Sequence, residues 1–238
     1  MTVTVEPGGR VLKPYPLHRV ALVGMGPSAV AFANSVYYEE FRRKLGHSEA
    51  WTLNYGHQVW QHDLLFNMHD LVHMRQHAPE ADYIEGYKDH PQRVVTTRFV
   101  GDIANCYEFP FEELFKRFGD TYFSCGSAYM VAFAIMCLEL QEGGAKELHI
   151  FGMDFNYHGR EEYEAGRCCL EYWIGRAVGM GIDVKVPSSS ALMDLYQRSH
   201  LNGLQGNGKM YGMQGLEPVF TTSGGKLQLT GWKSNEPD

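Results

Sequence analysis

A glycine turn after an apolar run is the part of this sequence best suited to chemistry. The segment 20–28 reads VALVGMGPS, and its apolar run ends at Gly24 and Gly26. Pro27 and Ser28 then open a helix-like apolar pattern. Glycine lets the backbone approach a phosphate closely, and backbone N–H groups at a helix start favour an anion. Ser28 can cap the helix or donate to a phosphate oxygen. The turn therefore predicts a phosphate site. The alternative is a βα turn that binds nothing, because every α/β protein contains such turns.

Polar residues follow other apolar segments in the same way. Asn54 and Tyr55 follow the second segment, His69 and Asp70 follow the third, and Asp154 follows the segment that ends at 151. Ligands of doubly wound sheets bind beyond the carboxyl ends of the strands, so we expect these residues to converge. His69 is the leading candidate for a general acid or base, and Asp70 and Asp154 are the other catalytic candidates. Capping and turn formation are their structural alternatives.

Three further patterns allow more than one interpretation. Tyr157 and Tyr163 can donate to phosphate oxygens or pack against other residues. Histidines at 69, 73 and 77 have the spacing of one helical face, but a solvated or stacked face is favoured over metal ligands, so no metal site is predicted. Cys125 lies at a predicted helix start, where a nucleophilic thiolate is a minor alternative.

The elements that must position these residues alternate along the chain. Strands are predicted near residues 19–24, 50–54, 64–68, 93–98, 122–123, 147–151 and 182–186, and helices near 28–45, 111–118, 124–141 and 161–180. This alternation predicts an α/β fold with a Rossmann-like, doubly wound and mostly parallel sheet. We expect an N-terminal extension (1–18), one nucleotide-binding domain (19–200) and a C-terminal tail or hairpin cap (201–238), with the hairpin near 218–230.

Composition narrows the function classes. The chain has 238 residues and a formal net charge of −7, so no basic field favours binding to a nucleic-acid backbone. Its five cysteines include no C-x-x-C pair, which argues against a disulfide framework and a cysteine zinc site. Neither a signal peptide nor an apolar run of about 20 residues is evident. The expected location is a reducing cytoplasm, that of the host if a phage encodes the chain.

Taken together, the motifs resemble the bacterial lipooligosaccharide sialyltransferases. Residues 24–28 are similar to the G-N-G-P-S loop of that family, and residues 52–54 are similar to its R-C-N segment. Residues 125–155 resemble its block that begins S-G-V-Y-M-C-A and ends G-I-D-F. The resemblance extends over about residues 20–195. Similar patterns occur in Rossmann-like proteins of unknown function from bacteriophages and bacteria. A fainter likeness to 6-hydroxymethylpterin diphosphokinases rests on the shared G-x-G-P-S loop.

The resemblance implies a set of nucleotide-binding residues. These are Gly24, Gly26, Pro27, Ser28, Asn54, Gly126 and Ser127. The phosphate-contacting tyrosine of the family corresponds to Asn156, so Tyr157 or Tyr163 is expected to replace it. The catalytic histidine of the family follows Y-I-G, whereas Arg176 follows W-I-G here. Because no catalytic base is carried over, sialyl transfer itself is not expected, and His69 becomes the candidate base.

The leading hypothesis is a nucleotide-dependent transferase, specifically a glycosyltransferase that takes a nucleotide sugar as donor. The acceptor is open between a glycan, a small molecule and a modified nucleobase, so nucleic acid enters only as an acceptor. The alternatives are an ATP-dependent diphosphokinase of pterin type, a nucleotide-binding regulator without catalysis and a structural phage protein. No membrane partner is expected. A divalent metal requirement and self-association into a homo-oligomer are left open.

Overall fold

The computed structural model describes residues 9–34, 48–77, 83–155, 161–187, 189–193, 216–223 and 226–234. The chain divides into two compact units, Met1–Leu192 and Met193–Asp238. The strands of the first unit are β1 (Arg19–Val23), β2 (Ser48–Leu53), β3 (Leu64–Asn67), β4 (Arg93–Thr96), β5 (Cys106–Glu108), β6 (Glu147–Phe151) and β7 (Asp183–Lys185). Its helices are α1 (Val30–Asn34), α2 (Leu71–His77), α3 (Tyr83–Tyr87), α4 (Phe111–Phe118), α5 (Gly126–Glu139) and α6 (Glu161–Gly179).

All seven strands form one parallel sheet in the order β5-β4-β3-β2-β1-β6-β7. The chain moves outward from β1 to β5 and then returns to the other side of β1 with β6. This reversal places a switch point between β1 and β6, where the two connections leave in opposite directions. The predicted α/β, Rossmann-like and doubly wound arrangement is confirmed.

Apolar side chains cover both faces of the sheet, which explains why β1 and β3 contain continuous apolar runs. On one face, the largest core cluster joins Trp51 of β2 and Phe66 of β3 to Phe133 of α5. Helix α5 is buried around most of its circumference, as its uniformly apolar sequence requires. On the other face, separate clusters form around Phe32 and around Tyr87.

Two local features differ from the sequence expectations. Residues 122–123 are not a strand, because the Tyr122 carbonyl accepts a hydrogen bond from Trp173 Nε1 (2.8 Å) and no sheet partner lies beside it in the described chain. Strand β5 was not predicted, since its three residues, CYE, show neither an apolar run nor an apolar alternation. The helix expected over 28–45 begins with a tight 3-10 turn at Pro27–Ala29 and continues as α1, and residues 35–45 lie outside the described residues.

Residues near the start of the chain take part in the core. Leu12 and Leu17, which belong to the predicted N-terminal extension, are both 3 % exposed. Tyr15 Oη donates to Glu49 Oε2 (2.6 Å), and Arg93 also contacts Glu49 (3.2 Å). Residues 9–18 are therefore packed against the sheet domain.

The second unit contains a hairpin of two antiparallel strands, β8 (Leu216–Ser223) and β9 (Lys226–Ser234). The pairing has a register shift between Val219 and Phe220. The hairpin expected near 218–230 is thus present over a slightly longer range. Among the described residues, no helix combines the length and apolar character needed to cross a bilayer.

Candidate functional site

Hydrogen bonds join the turn after β1 directly to the turn after β6. Gly24 N–H donates to the Phe151 carbonyl (2.8 Å), and Gly26 N–H donates to the Gly152 carbonyl (2.7 Å). In the other direction, Gly152 N–H donates to Ser28 Oγ (2.8 Å). The backbone N–H groups of Gly24 and Gly26, which we expected to bind a phosphate, therefore donate to carbonyl groups of the chain itself.

Asp154 occupies the place expected for a phosphate at the first helix start. Its carboxylate is 2 % exposed and accepts a hydrogen bond from Ser28 N–H (2.8 Å). The Ser190 hydroxyl donates to the other carboxylate oxygen. An acidic side chain is favourable at a helix N-terminus for the same reason that a phosphate is. Asp154 thus acts as an internal anion for this turn, a structural role that the sequence offered as the alternative to catalysis.

The close approach of the two turns also explains the glycines. A Cβ atom added at Gly24 would lie 2.3 Å from the Gly152 carbonyl oxygen, and one at Gly26 would lie 2.6 Å from Asp154 Oδ2. Both contacts are shorter than any real side chain tolerates. Glycine is therefore required here by the neighbouring turn, whether or not a ligand binds. Pro27, in the same turn, is exposed.

A second group of polar residues lies at the carboxyl ends of β2 and β3. Asn54 has a φ of 50°, a left-handed conformation that is uncommon outside glycine. Its carbonyl accepts hydrogen bonds from Tyr87 Oη (3.1 Å) and from His57 Nδ1 (2.9 Å). Asn67 is fully buried, donates from Nδ2 to Tyr87 Oη (3.0 Å) and accepts from His69 N–H (3.1 Å). The ends of the two strands are thus fixed to each other through Tyr87.

Aromatic rings from three separate segments lie beside this network. The Tyr55 and Tyr83 ring centroids are 4.8 Å apart, and the His69 ring stacks against Tyr83 with centroids 6.0 Å apart and an angle of 12°. Tyr55 is 47 % exposed, and His69 is also exposed. Burial and a hydrogen bond with Tyr55 raise the pKa of Tyr83 to about 12, so its phenol stays neutral. The result is a partly exposed aromatic surface (Tyr55, His69 and Tyr83).

Asp70 is engaged in local structure. Its Oδ1 accepts from His73 N–H (3.1 Å), which caps the start of α2, and its Oδ2 pairs with Arg98. The adjacent His69 carbonyl accepts from Thr97 Oγ1 (3.2 Å). These contacts join the ends of β3 and β4, and they give Asp70 a capping role.

The N-terminus of α5 lies next to the end of β3. A Cβ atom added at Gly126 would lie 3.7 Å from the Met68 side chain, an ordinary contact. Ser127 is 3 % exposed, and its hydroxyl lies 3.2 Å from Cys125 Sγ. Burial raises the pKa of the Cys125 thiol to about 11, which is the opposite of what a nucleophile needs. The thiol instead donates to the Gly166 carbonyl (3.3 Å).

The predicted residues therefore fall into two groups instead of one. Strands β3 and β6 are separated by β2 and β1, so His69 and Asp154 follow strand ends about 14 Å apart. His69, Asn54 and Gly126 belong to the β2–β3 end, whereas Asp154 closes the turn after β1. Tyr157 lies outside the described residues, as does the side chain of Tyr163 in α6. In the part of the chain that the structure describes, no group of three or more potential ligands is arranged to hold a metal ion.

Sequence reasoning missed Asn67, Tyr83 and Tyr87. Asn67 ends an apolar strand and could have been chosen by the same rule that selected Asn54. The i, i+4 spacing of Tyr83 and Tyr87 also places both on one face of a helix.

No protein-family model matches the chain, and no curated protein matches it. The resemblance to the sialyltransferases therefore rests on the quoted motifs alone.

Proposed function

We propose that the chain is a nucleotide-dependent transferase that binds its donor over the carboxyl ends of β2 and β3. The observation that carries the proposal is the left-handed Asn54 backbone, held by Tyr87 and His57 beside the exposed aromatic surface. Left-handed residues other than glycine cluster at ligand sites, and asparagine is among those that adopt this conformation most readily. Asn54 is half-buried and directly follows β2, at the carboxyl ends of the strands where doubly wound sheets bind ligands.

The residues at these strand ends favour one orientation of a nucleotide, with its base beside the aromatic surface and its phosphate at the start of α5. Tyr55 offers an exposed ring against which a planar base can stack. The start of α5 at Gly126 supplies backbone N–H groups and a favourable dipole for a phosphate. The sequence resemblance independently assigns Asn54, Gly126 and Ser127 to the nucleotide.

Glycosyl transfer from a nucleotide sugar is the chemistry that we assign to this site. The imidazole of His69 is exposed and can reach an acceptor hydroxyl. It takes the hydroxyl proton while the acceptor oxygen bonds to the anomeric carbon, and the bond from that carbon to the nucleotide phosphate breaks. The five cysteines are free, which supports action in a reducing cytoplasm, that of the host if a phage encodes the chain.

Binding measurements on the full chain test the proposal. Isothermal titration with CMP-, UDP- and GDP-sugars should identify one donor class. Asn54→Gly should weaken that donor at least about tenfold, because it removes the amide while glycine keeps the left-handed backbone. Glu142→Ala, an exposed change near the opposite ends of the strands, is the matched control and should leave affinity unchanged. Absence of binding by every nucleotide, or equal affinity of Asn54→Gly, would overturn the proposal.

A nucleotide-binding protein without catalysis is the second candidate. It is favoured by the contacts of Asp70 and Asp154, since both carboxylates are engaged in capping. Turnover separates the two functions. An enzyme releases free nucleotide and loses that release in His69→Asn without losing affinity, whereas a regulator binds the nucleotide and releases no product. Release of AMP from ATP with magnesium would instead identify the diphosphokinase alternative.

A further inference from the structure

Three histidines from two chain connections pack together next to the Asn54 turn. His57 and His62 belong to the connection between β2 and β3, and His90 lies just before β4. The His62 and His90 rings are stacked with centroids 5.2 Å apart, and the His57 ring meets His90 edge-on at 5.5 Å. His62 is 7 % exposed and His90 is 9 % exposed. A cluster of imidazoles, of which His62 and His90 are buried and His57 is half-buried, thus joins the connection that carries Asn54 to the segment before β4.

Each imidazole is held in the same way. Nδ1 of His57 lies 2.9 Å from the Asn54 carbonyl, and Nδ1 of His62 lies 2.8 Å from the Trp60 carbonyl. Nδ1 of His90 lies 3.3 Å from the carbonyl of residue 92. Since a carbonyl only accepts, Nδ1 carries the hydrogen and Nε2 keeps a lone pair in the neutral ring. Among the described residues, the buried Nε2 of His62 has no hydrogen-bond partner.

This arrangement accommodates neutral rings and opposes charged ones. A proton on Nε2 of His62 would place a positive charge in a buried position without an acceptor, beside His90. Burial lowers the pKa of His62, and the neighbouring His57 lowers it further. Burial likewise lowers the pKa of His90, with added effects from His62 and His57. Acid therefore acts against the packed form of the cluster.

Other titratable groups on the surrounding segments have partners elsewhere or are exposed. These groups are Glu49, Asp63, Tyr83, Glu85, Tyr87, Lys88, Asp89 and Arg93. Asp63 accepts from Ala50 N–H (2.9 Å), and Arg93 pairs with Glu49 (3.2 Å). Glu85, Lys88 and Asp89 are exposed. Tyr83 contacts Tyr55, and burial raises the pKa of Tyr87, so both phenols stay neutral.

The cluster is connected to the Asn54 turn by two contacts. His57 donates to the Asn54 carbonyl, and the Tyr87 ring packs against His57 (5.1 Å) and His90 (6.4 Å) while its hydroxyl donates to the same carbonyl. The Asn54 turn is therefore fixed by hydrogen bonds and a ring contact that involve His57 and Tyr87. Separation of the rings would therefore release the turn.

We propose that the connection between β2 and β3, residues 54–63, is an acid-sensitive segment. Protonation of the buried histidines separates their rings and releases the Asn54 turn, while the parallel sheet stays folded. The inference does not depend on which ligand, if any, binds at the strand ends. Each proton taken up on opening changes the opening equilibrium by up to about tenfold per pH unit, so two protons give up to about 100-fold.

Hydrogen exchange of the full chain, read by mass spectrometry between about pH 5 and pH 8, tests the proposal. Peptides that cover residues 54–63 should exchange at least about tenfold faster near pH 5 than near pH 7, after correction for intrinsic rates. Peptides from α5 (Gly126–Glu139) serve as the internal reference and should not change. No acid-dependent opening of 54–63 would overturn the proposal.

Two variants identify the groups that titrate. His62→Asn and His90→Asn keep an amide that can donate in place of Nδ1 but cannot be protonated near neutral pH, so each should reduce the pH dependence of opening. His73→Asn, at an exposed histidine of α2, is the matched control and should behave like the wild type. An unchanged pH dependence in both variants would refute the proposal.

Discussion

Gly24→Ala tests whether the first glycine turn is shaped by the neighbouring turn. The added Cβ would lie 2.3 Å from the Gly152 carbonyl oxygen, whereas ordinary contacts begin at 3.4 Å, so the β6 turn must retreat by about 1 Å. Gly152 has a φ of 66° and is itself packed against Ala29, so that retreat is resisted. Overpacking of this kind typically costs about 1–3 kcal/mol.

The retreat also strains the hydrogen bonds that join the two turns. The bonds from Gly26 N–H to Gly152 and from Gly152 N–H to Ser28 Oγ each contribute about 1 kcal/mol. Replacing glycine restricts the unfolded chain, which offsets about 0.5–1 kcal/mol. We therefore expect the free energy of unfolding to fall by about 2–4 kcal/mol, a large part of the roughly 5–15 kcal/mol typical of a domain.

Urea unfolding without any ligand measures this change. Gly175→Ala is the matched control, because Gly175 lies in α6 with open space around its missing Cβ. That substitution should stabilise the protein by about 0.5–1 kcal/mol through helix propensity. If Gly24→Ala left the free energy of unfolding unchanged, the packing explanation of this turn would be refuted, and close approach of a ligand would become the better reason for the glycine.

Three further outcomes follow from buried contacts. Asp154→Ala should lower the free energy of unfolding by about 2–4 kcal/mol, because Ser28 N–H loses its charged acceptor, and urea unfolding measures this. Cys125 should react with iodoacetamide far more slowly than the exposed Cys168 near pH 7.5, because burial raises the pKa of the Cys125 thiol to about 11. Peptide mass spectrometry measures the alkylation of both thiols. Burial alone would raise the pKa of Glu147, but hydrogen bonds from basic side chains outweigh it and lower that pKa to about 2. The ionised form of Glu147 therefore stabilises the fold above about pH 4.5, and this contribution is lost as the pH falls towards 2. Acid unfolding of Glu147→Gln should lack this component.

Each outcome has a control that isolates its cause. Asp154→Asn keeps an oxygen acceptor and should be milder than Asp154→Ala, so equal stability of the wild type and Asp154→Ala would contradict the capping role. Equal alkylation rates at the two cysteines would contradict burial of the Cys125 thiol. Glu142→Gln changes an exposed carboxylate and should leave the acid transition unchanged. Retention of the wild-type acid transition in Glu147→Gln would contradict the contribution of its ion pairs.

The sheet was predictable because its central strands are buried on both faces. Strands such as β1 and β3 then show unbroken apolar runs that stand out from the surrounding sequence. β5 has only three residues and depends on pairing with β4, so its existence is decided by tertiary contacts. β7 is equally short, but the alternation in IDVKV over residues 182–186 extends beyond its three residues and predicted the strand.

The glycine turn shows the corresponding limit for a site. Ser28 and Asp154 are 126 positions apart, and nothing local to either residue indicates that they meet. A helix start requires an anion or acceptor, and a phosphate and an aspartate meet that requirement equally well. The rule that ligands bind at strand ends selected the region around Asn54 and His69, and ligand binding there stays a prediction. The rule does not indicate which backbone N–H groups, such as those of Gly24 and Gly26, already donate hydrogen bonds within the chain.

The segment before β1 also protects the rim of the sheet. Leu12 N–H donates to the Glu108 carbonyl (2.9 Å), and Glu108 N–H donates to the Arg10 carbonyl (2.8 Å), so the outer side of β5 has a partner. At the opposite rim, β7 is short and carries Asp183 and Lys185, a charged pair that discourages addition of another strand. Loss of residues 9–12 would leave the Glu108 N–H and carbonyl without these partners and open that side of β5 to pairing with a strand from another molecule.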